Sequence, residues 1–236
     1  MDNSTRTLQS GAAAATYPMV ALPAPAASGA AASRVLRNTY ALLSMTLLFS
    51  AGVAAVSLAL NLPAPGIVVT LMGYFGLLFA VYRLKNRGWA LPAVFALTGF
   101  MGYTLGPALA KALALPAGGQ AIMLALAATG ATFLALSAWV LTTRRDFSFM
   151  GGFLFAGMVV ALIAGLGAVF LQIPALALVV SAMVALLSAG LILFETSRIV
   201  NGGESNYVLA TVGLYVSIFN LFVSLLSLFG IGGSSE

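Results

Sequence analysis

The chain has 236 residues, 61% of them hydrophobic and only 6% charged, with a net charge of +5. Too few charges are present to cover a water-facing surface, on which a soluble domain carries about 25% charged residues. The apolar runs are continuous and roughly twice the length of the alternating strands of a membrane β-barrel. There is no cysteine and no histidine, which excludes disulfides, thiol chemistry, Cys/His zinc sites and serine–histidine catalysis. The only aspartates are Asp2, near the start, and Asp146, beside Arg144 and Arg145, so no aspartyl dyad sits inside an apolar run. The inventory points to a polytopic all-α membrane protein that is not an enzyme and uses no cofactor or metal.

Residues 1–33, rich in Ala, Ser, Thr and Pro, read as a separate flexible tail, with Pro18, Pro23 and Pro25 interrupting any helix. No leucine-rich core stands behind a basic start, so a cleaved signal peptide is not expected. Seven apolar segments follow, near 38–60, 64–82, 88–109, 119–141, 149–171, 174–194 and 207–230. Each is close to the ~20 residues that cross the hydrocarbon core as a helix. A transmembrane domain over 34–230 and a short tail at 231–236 complete the division.

Orientation follows from Lys and Arg. Arg6, Arg34 and Arg37 precede the first span, and Arg83, Lys85 and Arg87 lie between the second and third. Arg144 and Arg145 lie between the fourth and fifth, and Arg198 between the sixth and seventh. Alternation puts all of these on one side and only Lys111 on the other. The expectation is seven spans, N-terminus cytoplasmic and C-terminus periplasmic.

Leucine gains little by leaving lipid for leucine, so small and polar residues should set the packing. Ala127, Ala131 and Ala135 in the fourth segment, and Gly157, Ala161 and Gly165 in the fifth, form strips for close helix approach. In the seventh, Gly213, Ser217, Asn220, Ser224 and Ser227 make a small, polar seam along one face. That seam either bonds to neighbouring helices or lines a polar path, and its lack of charge favours the first reading.

Glu195 is expected at the end of segment six, three residues from Arg198 and on the same helix face. Either it is an interfacial acid paired with Arg198, or it points toward the seam and binds a proton or cation. Glu195, Arg198, Ser217 and Asn220 are therefore the candidate proton- or cation-responsive site. The "NGGESN" stretch at 201–206 reads as a turn, with Glu204 solvated.

Five blocks carry a family resemblance: "VLRNTYALLSMTLLFSA", "ALTGFMGYTLGPAL", "VLTTRRDFSFMGG", "LQIPALAL" and "FETSRIVNGGESNY". In this order and spacing they resemble the Bax inhibitor-1 family of seven-span membrane proteins, most of all its bacterial YccA subgroup, over residues 34–230. The resemblance implies a bundle in the bacterial inner membrane with a central seventh helix. It also implies interaction with FtsH, the membrane-bound ATP-dependent protease, as modulator or substrate, for which the tail is a suitable handle. Other members are described as pH-sensitive calcium leaks that use facing acids in segments six and seven. Glu195 matches the first acid, but Ser217 stands at the second. One carboxylate and a serine cannot share a proton or hold Ca²⁺ as two acids do, so a cation leak (Ca²⁺ or H⁺) is the alternative reading and modulation of FtsH the leading one.

Overall fold

The computed structural model describes residues 25–232, with side chains from 32 to 230. Most of the 1–33 tail and the 231–236 tail lie outside the described residues. Seven helices follow in order: α1 (Pro25–Ala59), α2 (Ile67–Leu84), α3 (Ala90–Leu113), α4 (Gly118–Thr143), α5 (Gly151–Phe170), α6 (Pro174–Val200) and α7 (Tyr207–Gly232), with one 3₁₀ turn at Ser148–Met150 before α5. All seven are long and apolar enough to cross a membrane. Their outward faces carry large exposed apolar side chains such as Leu48, Met72, Phe153 and Leu186, which suits hydrocarbon and not water.

Backbone chemistry sets the helix ends. Asn61 after α1, Arg144 after α4 and Gln172 after α5 each take a positive φ, the left-handed turn that stops a helix. Pro174 opens α6 at its first position, where its missing N–H costs nothing. Two boundaries differ from the sequence reading. Helix α1 starts at Pro25 and so takes in the end of the segment read as tail. Helix α6 runs to Val200, six residues past the last apolar run. Hydropathy ends at Phe194, but nothing stops the helix until Asn201 and the positive φ of Gly202.

Helix α1 packs on α3, α2 on α3, α5 on α6, and α6 on α7, while α7 also touches α4, α1 and α3. Half of the α7 span is buried, more than of any other span. Its Tyr215 is fully buried and donates to Ser50 Oγ of α1 at 2.6 Å.

The α1–α3 seam shows how a membrane bundle is held. Pro107 stands inside α3. It has no N–H to give to the carbonyl of Tyr103, one turn earlier. Ser57 of α1 supplies the missing donor, its hydroxyl reaching Tyr103 O at 3.0 Å. Glycines permit the approach: a Cβ on Gly106 would overlap Ser57 Oγ, and one on Gly102 the backbone oxygen of Ser50.

The small-residue strips fare differently. On α5, Ala161 is buried, and a Cβ on Gly157 would press on Leu187 of α6, so this strip packs as expected. On α4, Ala127, Ala131 and Ala135 are exposed, and the expectation fails. The buried face carries Ala121, Ala125, Thr129, Ser137 and Val140 instead. Alanine is comfortable against lipid, so its small size alone does not turn a helix face inward.

Candidate functional site

Glu195 lies in the penultimate turn of α6 and points at α7. Its Cδ stands 2.8 Å, and its Oε1 2.9 Å, from where a Cβ on Gly213 would be. Gly213 thus provides a notch that admits the carboxylate, and the Glu195 side chain is only 16% exposed. Arg198, one turn on, approaches Glu195 Oε2 at 3.7 Å and Glu204 Oε2 at 3.0 Å. Its guanidinium also lies over the ring of Phe194, 5.4 Å from the centroid. One arginine therefore sits between two acids, and the closer pair is the one with Glu204.

Glu204 is not the solvated turn residue that composition suggests. Its side chain is 12% exposed, and its Oε1 accepts the N–H of Asn206 at 2.9 Å. Asn206 in turn caps α7, its Oδ1 accepting from the amides of Val208 and Leu209. Its Nδ2 donates to Asn86 Oδ1 and Lys85 O in the α2–α3 loop. On the other flank, Ser197 donates to Arg145 O and accepts the N–H of Phe147. Asn201 donates to Ser197 Oγ and to Arg145 O. Side chains at the end of α6 and in the α6–α7 turn thus tie the α2–α3 and α4–α5 loops together at one end of the bundle. Ser197, Asn201 and Asn206 were not singled out from the sequence. Their signal was a set of short polar side chains around a glycine turn, which reads as loop composition and does not specify a partner.

Asp146 in the same layer is fully exposed. Hydrogen bonds from Ser148, its hydroxyl first and then its amide, hold the carboxyl below its ordinary range.

Ser217 is 2% exposed and donates to Gly213 O of its own helix at 2.9 Å. Asn220 lies two turns past Gly213, roughly 10 Å along the helix axis. It faces two apolar cavities of about 500 and 200 Å³. The structure therefore brings Glu195, Arg198 and Gly213 together, adds Glu204, commits the Ser217 hydroxyl to a backbone carbonyl, and sets Asn220 apart. Among the described residues, no group of three acidic, His or Cys side chains could hold a metal. The cluster can take up or release charge at a helix–helix contact; it has no nucleophile and no second acid facing Glu195 from α7.

Residues 32–234 match the family model described as "Inhibitor of apoptosis-promoting Bax1". An uncharacterized protein of Pseudomonas aeruginosa is 53% identical over 204 residues, 86% of this chain and 92% of the relative. "Modulator of FtsH protease YccA" of Escherichia coli K12 is 54% identical over 198 residues, 84% of this chain and 90% of that protein. The same identity and coverage hold for "Inner membrane protein YccA" of Escherichia coli O6:H1.

Proposed function

The chain belongs to the Bax inhibitor-1 family, and from that membership we propose that it is a non-enzymatic, multi-pass protein of the bacterial inner membrane that interacts with and modulates the protease FtsH in membrane-protein quality control. One observation carries the reading: 54% identity extending over 90% of a protein whose name is modulator of that protease. Identity at that level extends over 84% of this chain, and not over one motif alone.

The finer architecture belongs to the same reading. The N-terminus is cytoplasmic and the C-terminus periplasmic, supported by nine of ten basic residues falling on one side. The seventh helix is the central one, supported by its packing against α6, α4, α1 and α3. Residues 1–33 serve as the handle for the protease. Co-purification of the full-length protein with FtsH from membranes tests the partnership, and turnover of a known FtsH substrate with and without this chain tests modulation. If neither association nor a change in turnover is found, the reading fails. Deleting residues 2–28 should slow degradation of the chain itself; unchanged turnover would remove the handle.

A cation or proton leak is the second reading, motivated by a mostly buried Glu195 set against the polar seam of α7. Glu195 and Arg198 would be its responsive pair, with Ser217 and Asn220 along the path. It is the weaker one. Arg198 is already paired with Glu204 and lies beside Glu195, and the Ser217 hydroxyl is spent on its own helix. Liposome flux of Ca²⁺ or H⁺ that disappears in Glu195→Gln would reverse this ranking.

A further inference from the structure

The larger cavity is a groove between α2 and α5. Helix α2 packs on α3 and α5 packs on α6, and the cleft lies between them with α7 behind. Its α5 wall runs from Phe155 through Leu162 to Val169, a length of about 21 Å at 1.5 Å per residue. Its α2 wall runs from Ile67 to Phe75. The groove's volume is about 500 Å³. The space suits one flexible hydrocarbon chain and is within the size of a small-ligand site.

The groove is not wholly apolar. Tyr74 and Asn220 line both it and the adjoining 200 Å³ cavity. Among the described residues neither side chain makes a hydrogen bond. Asn220 lies about 20 Å along α7 from Tyr207, at the middle of the span. An unsatisfied carboxamide at that depth has no water to bond. A phospholipid acyl chain cannot satisfy it, because its ester groups stay at the membrane surface. A charged head group is disfavoured there.

We propose that this groove binds an uncharged single-chain lipid whose carbonyl oxygen accepts hydrogen bonds from Asn220 and Tyr74, the chemistry of a prenyl quinone or of a neutral fatty acyl compound. The carbonyl seats against α7 and the chain lies along α5 between Phe155 and Val169. The test is thermal unfolding of the detergent-purified full-length protein, titrated separately with decylubiquinone, methyl palmitate, hexadecane and phosphatidylglycerol. Either carbonyl lipid should raise the melting temperature saturably. A rise with decylubiquinone alone identifies the quinone source, and a rise with both identifies the shared carbonyl. Asn220→Leu and Tyr74→Phe should each weaken the apparent affinity roughly tenfold, the loss of one buried hydrogen bond. Leu162→Trp, at the membrane face of the groove, should block binding while leaving both polar groups in place. No saturable rise with either carbonyl lipid, equal stabilisation by hexadecane or phosphatidylglycerol, or undiminished binding in Leu162→Trp would overturn the proposal.

Discussion

The Ser57–Tyr103 bond offers a direct test of how the bundle is held. Pro107 leaves the Tyr103 carbonyl without its intrahelical donor, and Ser57 fills the gap at 3.0 Å from a position only 1% exposed. Ser57→Ala strands that carbonyl. Interhelical bonds in membranes average about 0.6 kcal/mol and reach about 1.7, while an orphaned buried acceptor costs about 1–3 kcal/mol. The expected loss is therefore about 1–2 kcal/mol. Pro107→Ala should abolish most of it, because the restored N–H at 107 satisfies Tyr103 from within α3. In that background Ser57→Ala should cost only its lost packing, about 0.5 kcal/mol. The two changes should thus couple by about 1 kcal/mol in a double-mutant cycle. Reversible unfolding in mixed micelles, or steric trapping in bicelles, reads the four stabilities. A coupling within 0.3 kcal/mol of zero would refute the reasoning, and Ser57 would then be a packing residue whose hydroxyl is incidental.

Gly213→Ala places a methyl against the Glu195 carboxylate and should destabilise by about 1–3 kcal/mol. Adding Glu195→Ala should recover most of that loss, which the same unfolding assay can read. Tyr215→Phe, which deletes the 2.6 Å bond to Ser50, should cost about 1 kcal/mol. Thr129→Val should cost nothing or stabilise slightly, since that hydroxyl is buried without a partner; equal losses at the two sites would sink the distinction. Asp146 is held below its ordinary value by Ser148. Its turn is therefore complete above the unfolded pKa and is lost as pH falls through the lowered one. Carboxyl NMR titration should show Ser148→Ala raising the midpoint toward 3.8.

The number and placement of the helices were legible because hydropathy reports what lipid demands of a span, and all seven segments became helices. The end of α6 was not, because charge marks a change of solvent and not a change of backbone; the helix continues through Glu195 and Arg198 until glycine ends it. The α5 strip read correctly and the α4 alanines did not, since small size permits packing without requiring it. Glu195 stood out as an acid at the edge of grease. Its seat against Gly213, eighteen positions along the chain, depends on the rotation of two different helices, which no local pattern encodes. Glu204 misled for a related reason: a glycine turn says that the backbone bends, not that Arg198 and Asn206 fold back over the acid. Ser57 and Pro107 are each ordinary alone, and only their juxtaposition gives them meaning.

The notch at Gly213 has a further consequence. Leucine against lipid and leucine against leucine are nearly the same to a greasy helix, so such helices are free to rotate and to slide past one another. A carboxylate that fits at one glycine and collides elsewhere works as a detent. It fixes α7 on α6 in both rotation and height, much as a keyway fixes a shaft. On that view Glu195 and Gly213 together index the bundle, and shifting the glycine one turn along α7 should shift the whole helix with it.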